Sequence, residues 1–112
     1  MIKALIVDDE QSSIDLLQWL VGQYCPDISV VQSARSVKDA LPLIHNFQPD
    51  IVFLDIQMPK ITGIDFFKSL QQAPPVIFTT AYPQYALDGF ELNALDYLVK
   101  PITPERFDKA MT

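Results

Sequence analysis

The chain has 112 residues, with 14 acidic and 8 basic side chains, a formal net charge of -6, 49% hydrophobic and 20% charged residues. That is one domain, large enough to bury a core without disulfides or a structural metal, and its composition excludes disorder. The negative balance argues against this domain gripping nucleic acid or a membrane surface by itself and suits a divalent cation, while the single Cys25 excludes an internal disulfide and suits a reducing, cytoplasmic setting.

Residues 2–7 are a short apolar run that stops at Asp8-Asp9-Glu10. The run is too short for a signal peptide and reads as a strand buried on both faces. Ile14, Leu17, Leu20 and Val21 then recur at helical spacing until Pro26-Asp27. Ile28, Val30 and Val31 form a second strand. Ser36 is placed to cap a helix carrying Val37, Ala40, Leu41, Ile44 and Phe47, in which Pro42 implies a kink or a later start. Ile51-Val52-Phe53-Leu54 is a third strand, again closed by an acid, Asp55. Thr62-Gly63 leads a helix with Ile64, Phe66, Phe67 and Leu70, and Pro74-Pro75 breaks it. Val76-Ile77-Phe78 is a fourth strand running into Thr79-Thr80-Ala81. A weakly patterned helix is expected over Pro83–Phe90, then a fifth strand, Tyr97-Leu98-Val99, ending in Lys100-Pro101. Thr103-Pro104-Glu105 opens a last helix that the chain cuts short.

Strands alternating with helices imply a parallel sheet, so every strand ends on the same side. Asp8, Asp9, Asp55, Thr80 and Lys100 all stand at strand ends, where open α/β sheets bind their ligands. Three gathered carboxylates repel one another until a cation neutralises them, and hard oxygen ligands of this kind suit Mg2+. A divalent cation, an ammonium and a hydroxyl around a central carboxylate are equipped to hold a tetrahedral dianion. The central carboxylate can attack phosphorus as a nucleophile.

The acidic pair Asp8-Asp9, the run Leu54-Asp55-Ile56-Gln57-Met58-Pro59 with Gly63 after it, Thr80-Ala81, and Tyr97-Leu98-Val99-Lys100-Pro101 stand in an order and spacing that resembles the receiver domain of bacterial two-component response regulators. The resemblance covers nearly the whole chain. It implies a flavodoxin-like, doubly wound, five-stranded parallel sheet of order 2-1-3-4-5 with helices on both faces, and one receiver domain over residues 1–112 with its output domain absent. It implies Asp55 as phosphoacceptor, with Mg2+ held by Asp9 directly, Asp8 largely through water, Asp55, and the backbone carbonyl of Gln57. Lys100 would pair with a phosphoryl oxygen, and Pro101 implies a cis peptide that aims it. Thr80 would move onto the phosphoryl group, with Ala81 leaving room and Tyr97 turning inward behind it. The side chains of Gln57 and Tyr82, two residues after Asp55 and Thr80, would tune the access of hydrolytic water, which the bulky Tyr82 would slow.

The stretch from Thr79 through Tyr97 resembles receivers that precede a LytTR-type DNA-binding domain. The implied partners are a sensor histidine kinase, a second copy of the chain in a phosphorylation-linked homodimer, and DNA only through the missing output domain. The dimer face would comprise the helix expected over Pro83–Phe90, the last strand and the last helix.

Two other functions fit parts of the pattern. A haloacid-dehalogenase phosphatase also uses an Asp nucleophile with Mg2+, but its Asp-x-Asp would follow the first strand, where Asp8-Asp9 are adjacent. A flavodoxin-type cofactor binder needs a hydroxyl- and glycine-rich phosphate loop where this chain has acids. Glu10 reads as a helix-start acid. Cys25 and His45 read as bland, and Trp19 and Phe66-Phe67 fit core packing or a partly covered helix face. Tyr82, Tyr85 and Phe90 fit either the core or an interaction face.

Overall fold

The structure, a computed structural model, describes residues 2–82 and 94–111. Five parallel strands form one sheet: β1 Ile2–Val7, β2 Ile28–Ala34, β3 Ile51–Asp55, β4 Val76–Thr80 and β5 Asp96–Val99, in the order β2-β1-β3-β4-β5. The described helices are α1 Gln11–Tyr24, α2 Val37–Phe47, α3 Gly63–Ser69 and α4 Pro104–Met111. The helix expected over Pro83–Phe90, with Tyr85 and Phe90, lies outside the described residues.

The central strands are apolar through their buried middles, Ala4–Val7, Val52–Leu54 and Val76–Phe78, because both of their faces are covered. Side chains alternate across the sheet, so each strand feeds two cores. On one face Ala4, Ile6, Phe53, Ile77 and Leu98 pack against Ile14, Leu17, Leu20 and Val21 of α1 and Phe107 of α4. On the other, Leu5, Val7, Val52, Leu54, Val76 and Phe78 pack against Ala40 of α2 and Phe66 of α3. The last helix is short but anchored, since Phe107 is fully buried and its ring stacks 5.9 Å from that of Phe53.

Caps fix the helix starts. Ser36 Oγ accepts from the Asp39 N–H at 3.1 Å, Thr62 Oγ1 from the Asp65 N–H at 3.1 Å, and Thr103 Oγ1 from the Arg106 N–H at 3.2 Å. Each such cap stabilises its helix by about 1 kcal/mol. α2 starts at Val37 and runs through Pro42. The missing N–H leaves the Lys38 carbonyl without its helical donor, and both residues face water, which can supply one. β2 continues three residues beyond Val31, because exposed Gln32 and Ser33 on this edge strand still pair with Leu5 and Ile6. No described helix is long and apolar enough to cross a membrane.

Candidate functional site

The parallel register brings the strand ends to one rim. Val7 pairs with Leu54, Asp55 with Thr79, and Thr80 with Val99. The ladder runs one residue past the strands: the Asp8 N–H donates to Ala34 O at 3.1 Å, the Ile56 N–H to Thr79 O at 3.0 Å, and the Lys100 N–H to Thr80 O at 2.6 Å. Asp8, Asp55, Thr80 and Lys100 are thereby fixed by backbone geometry before any side-chain contact forms.

Asp8 is fully buried with both carboxylate oxygens engaged. Its Oδ1 accepts from the Glu10 N–H at 3.0 Å and its Oδ2 from Lys100 Nζ at 2.9 Å. The Lys100 ammonium also lies 3.5 Å from Asp55 Oδ1. Burial works against the lysine's charge, but its hydrogen bond to Asp8 and the negative fields of Asp55 and Asp8 outweigh that and raise its pKa. The Lys100-Pro101 peptide is cis.

Asp55 is 2% exposed, and its Oδ1 accepts no hydrogen bond among the described residues. Burial and the neighbouring Asp8 charge push its carboxyl up to about 7; Lys100 opposes them, and Asp9 adds to the rise by a hydrogen bond and by charge. The backbone behind it is equally constrained. The Gly63 N–H donates to Ile56 O at 2.9 Å, and a Cβ on Gly63 would collide with the carbonyl group of Asp55. Glycine is required here for close approach.

The other expected residues assemble around this centre. The buried Thr80 hydroxyl accepts from the Tyr82 N–H at 3.0 Å and donates to Gln57 Oε1 at 2.8 Å. Tyr97 is partly buried, its ring 5.1 Å from that of Phe78. Ala81, Tyr82 and Pro101 are exposed at the rim.

Three features went beyond the sequence reading. Carboxylate oxygens of Asp8, Asp9 and Glu10 lie within 4.8 Å of one another, so the helix-start acid Glu10 also joins the acidic rim. It occupies the N-cap position of α1 with no side-chain capping bond. Arg35, which no motif singled out, donates from Nε and Nη2 to the Asp9 carbonyl at 3.3 and 3.0 Å. Gln57, expected to contribute its carbonyl and to flank the path of hydrolytic water, also turns its side-chain amide onto Thr80. The group fits Mg2+: Asp9 and Asp55 offer carboxylate oxygens, while the fully engaged Asp8 is suited to act through water.

Residues 4–112 match the family model for the response regulator receiver domain. The chain is 43% identical over 113 residues to an uncharacterized response regulatory protein of Vibrio cholerae, covering 99% of this chain and 47% of that protein. It is 41% identical over 109 residues to the sensory transduction protein LytT of Bacillus cereus, covering 95% of this chain and 44% of that protein. The chain thus spans about half the length of the curated relatives it matches. The response regulatory domain of protein mrkE from Klebsiella pneumoniae superposes with a TM-score of 0.85 at 29% identity, covering 98% of this chain and 92% of that one.

Proposed function

The chain belongs to the response regulator receiver family, a phosphorylation-dependent signalling switch, and on that premise we propose that Asp55 is its phosphoacceptor. The observation that carries this is the isolation of Asp55 Oδ1: buried, 3.5 Å from an ammonium, and accepting no hydrogen bond among the described residues. A carboxylate oxygen so placed keeps its lone pairs for attack on phosphorus. The new P–O bond forms as the P–N bond of a phosphohistidine on a sensor histidine kinase breaks, and the imidazole leaves.

Asp9, Asp55 and the Gln57 backbone carbonyl would hold Mg2+, with Asp8 acting through water. Bound there, the ion neutralises the carboxylates and the incoming phosphoryl charge. Lys100, held by Asp8, balances a further phosphoryl oxygen. Thr80 then moves onto the phosphoryl group, beside Ala81, and Tyr97 turns inward. The surface of β5 and α4 changes with them and favours a homodimer. The chain's own residues assist its phosphorylation and dephosphorylation; it turns over no separate substrate.

Residues 1–112 form the receiver unit of a cytoplasmic protein, and the output it controls lies in a DNA-binding region of LytTR type outside this segment. The relatives' twofold greater length and the similarity to LytT support that reading. The haloacid-dehalogenase alternative has no support, because the family match is to receivers. The test is Asp55→Asn. With Mg2+ and a small phosphoryl donor, the wild-type chain takes label and the variant takes none; persistent labelling overturns the assignment.

A further inference from the structure

Gln57 stands two residues after Asp55, yet its side chain serves β4. Its Oε1 accepts the Thr80 hydroxyl proton at 2.8 Å. The Thr80 oxygen meanwhile accepts from the Tyr82 N–H at 3.0 Å, a bond within its own turn. Thr80 is therefore held from both sides: locally by the chain that follows it, and at long range by the loop that follows Asp55. The amide makes this bond at a disadvantage. Its Nε2 is buried and has no hydrogen-bond partner among the described residues. A buried donor without an acceptor is costly enough to offset what the single bond to Thr80 returns. A side chain selected only for stability at this position would be apolar.

Resting on the reading of Asp55 and Thr80 given above, we infer that the Gln57 amide is a latch that holds the Thr80 hydroxyl in its resting arrangement, and that phosphorylation at Asp55 must break the Gln57–Thr80 hydrogen bond before Thr80 can engage the phosphoryl group. Gln57 is a positioning residue in this account. It acts through Thr80, and it biases a two-state equilibrium toward the resting state by the strength of one hydrogen bond. Asp55 ends β3 and Gln57 lies two residues on, so a group added at Asp55 acts directly on the segment that carries the amide.

The test is the affinity of the protein for beryllofluoride with Mg2+, a phosphoryl mimic, followed by NMR. Gln57→Met keeps the length of the side chain and removes both the bond and the unpaired donor. It should bind beryllofluoride about fivefold more tightly than wild type, the equivalent of one ordinary hydrogen bond. In a Thr80→Ala background the same substitution should change the affinity by less than about twofold, because no hydroxyl remains to be held. Unchanged or weaker binding by Gln57→Met overturns the latch, as does an equal gain in the absence of Thr80. Asp55→Asn separates the two levels. Binding by wild type but not by this variant upholds the site whatever Gln57→Met does; a wild type that binds no beryllofluoride overturns both. A second measurement needs no variant. Side-chain contacts between Gln57 and Thr80 should be seen in the free protein and vanish on beryllofluoride binding, and their persistence overturns the inference.

Discussion

Lys100 Nζ stands 3.5 Å from Asp55 Oδ1 but 2.9 Å from Asp8 Oδ2, so the ammonium is committed to Asp8 and only leans toward Asp55. The division has chemical sense. On the role proposed for Asp55, a lysine bonded tightly to its Oδ1 would tie up the lone pair needed for attack. Parked on Asp8, it neutralises part of the acidic cluster while staying in reach of a group built on Asp55.

That cluster makes the metal-free protein sensitive to pH. The Asp55 carboxyl titrates near 7 when folded, against 3.8 for an ordinary Asp. The folded chain holds a proton that the unfolded chain gives up, so this group's stabilising contribution is complete below the ordinary Asp value and is lost as pH rises through about 7. Melting temperature in chelator should fall between about pH 4 and pH 7 and level off above, and Mg2+ should flatten the slope. Asp55→Asn should melt higher than wild type at the alkaline end; a metal-free profile with the same slope in both proteins would contradict this.

Lys100→Met removes the cation from two buried carboxylates. Asp8, fully buried, is left with an uncompensated charge, and the loss of stability should be about 2–4 kcal/mol in the absence of metal. Phosphoryl uptake from a small donor should slow by at least about tenfold, as one stabilising contact to the transition state is lost. Denaturant melts and a labelling time course read the two effects separately.

Gly63→Ala places a methyl group against the Asp55 carbonyl. Neither backbone segment can yield freely, because the Gly63 N–H is tied to Ile56 O at 2.9 Å. A stability loss of about 2–3 kcal/mol is expected, with weaker Mg2+ binding as the loop carrying the Gln57 carbonyl shifts. Titration of Mg2+ by NMR, beside a thermal melt, is the check.

Tyr82 is 50% exposed at the rim, and its backbone N–H holds Thr80 at 3.0 Å. Tyr82→Ala keeps that backbone bond and removes only the ring. If the ring limits access of water to the phosphorylated carboxylate, the phosphorylated form should decay several-fold faster. Decay at the wild-type rate would show that the ring has no part in it.

Much of this site is legible in the sequence. Strands covered on both faces must be apolar throughout, so an acid, threonine or lysine after such a run marks a strand end, and parallel pairing then gathers Asp8, Asp55, Thr80 and Lys100. What escaped depends on where side chains turn. Gln57 is an ordinary polar residue by spacing, and only its rotamer brings the amide to Thr80. Arg35 reaches Asp9 across a strand crossover that carries no motif. Glu10 was placed correctly at the head of α1, but its second neighbourhood, the oxygens of Asp8 and Asp9, follows from the angle at which the chain turns into the helix. Pro42 implied a kink or a later start, yet the helix begins at Val37, and the proline is accommodated because its open carbonyl partner faces solvent.

The strand order has a consequence for how the protein comes to exist. β1 is made first and lies inside the sheet, flanked by β2 and β3, whereas β5 is made last and pairs only with β4. The Lys100–Asp8 bond joins residues 92 positions apart. A chain still emerging from the ribosome therefore presents its acids long before the cation that balances them. Closure of that longest loop comes with the edge strand, late in assembly. No partly synthesised chain carries a complete site, so competence to receive a signal arrives together with the finished sheet.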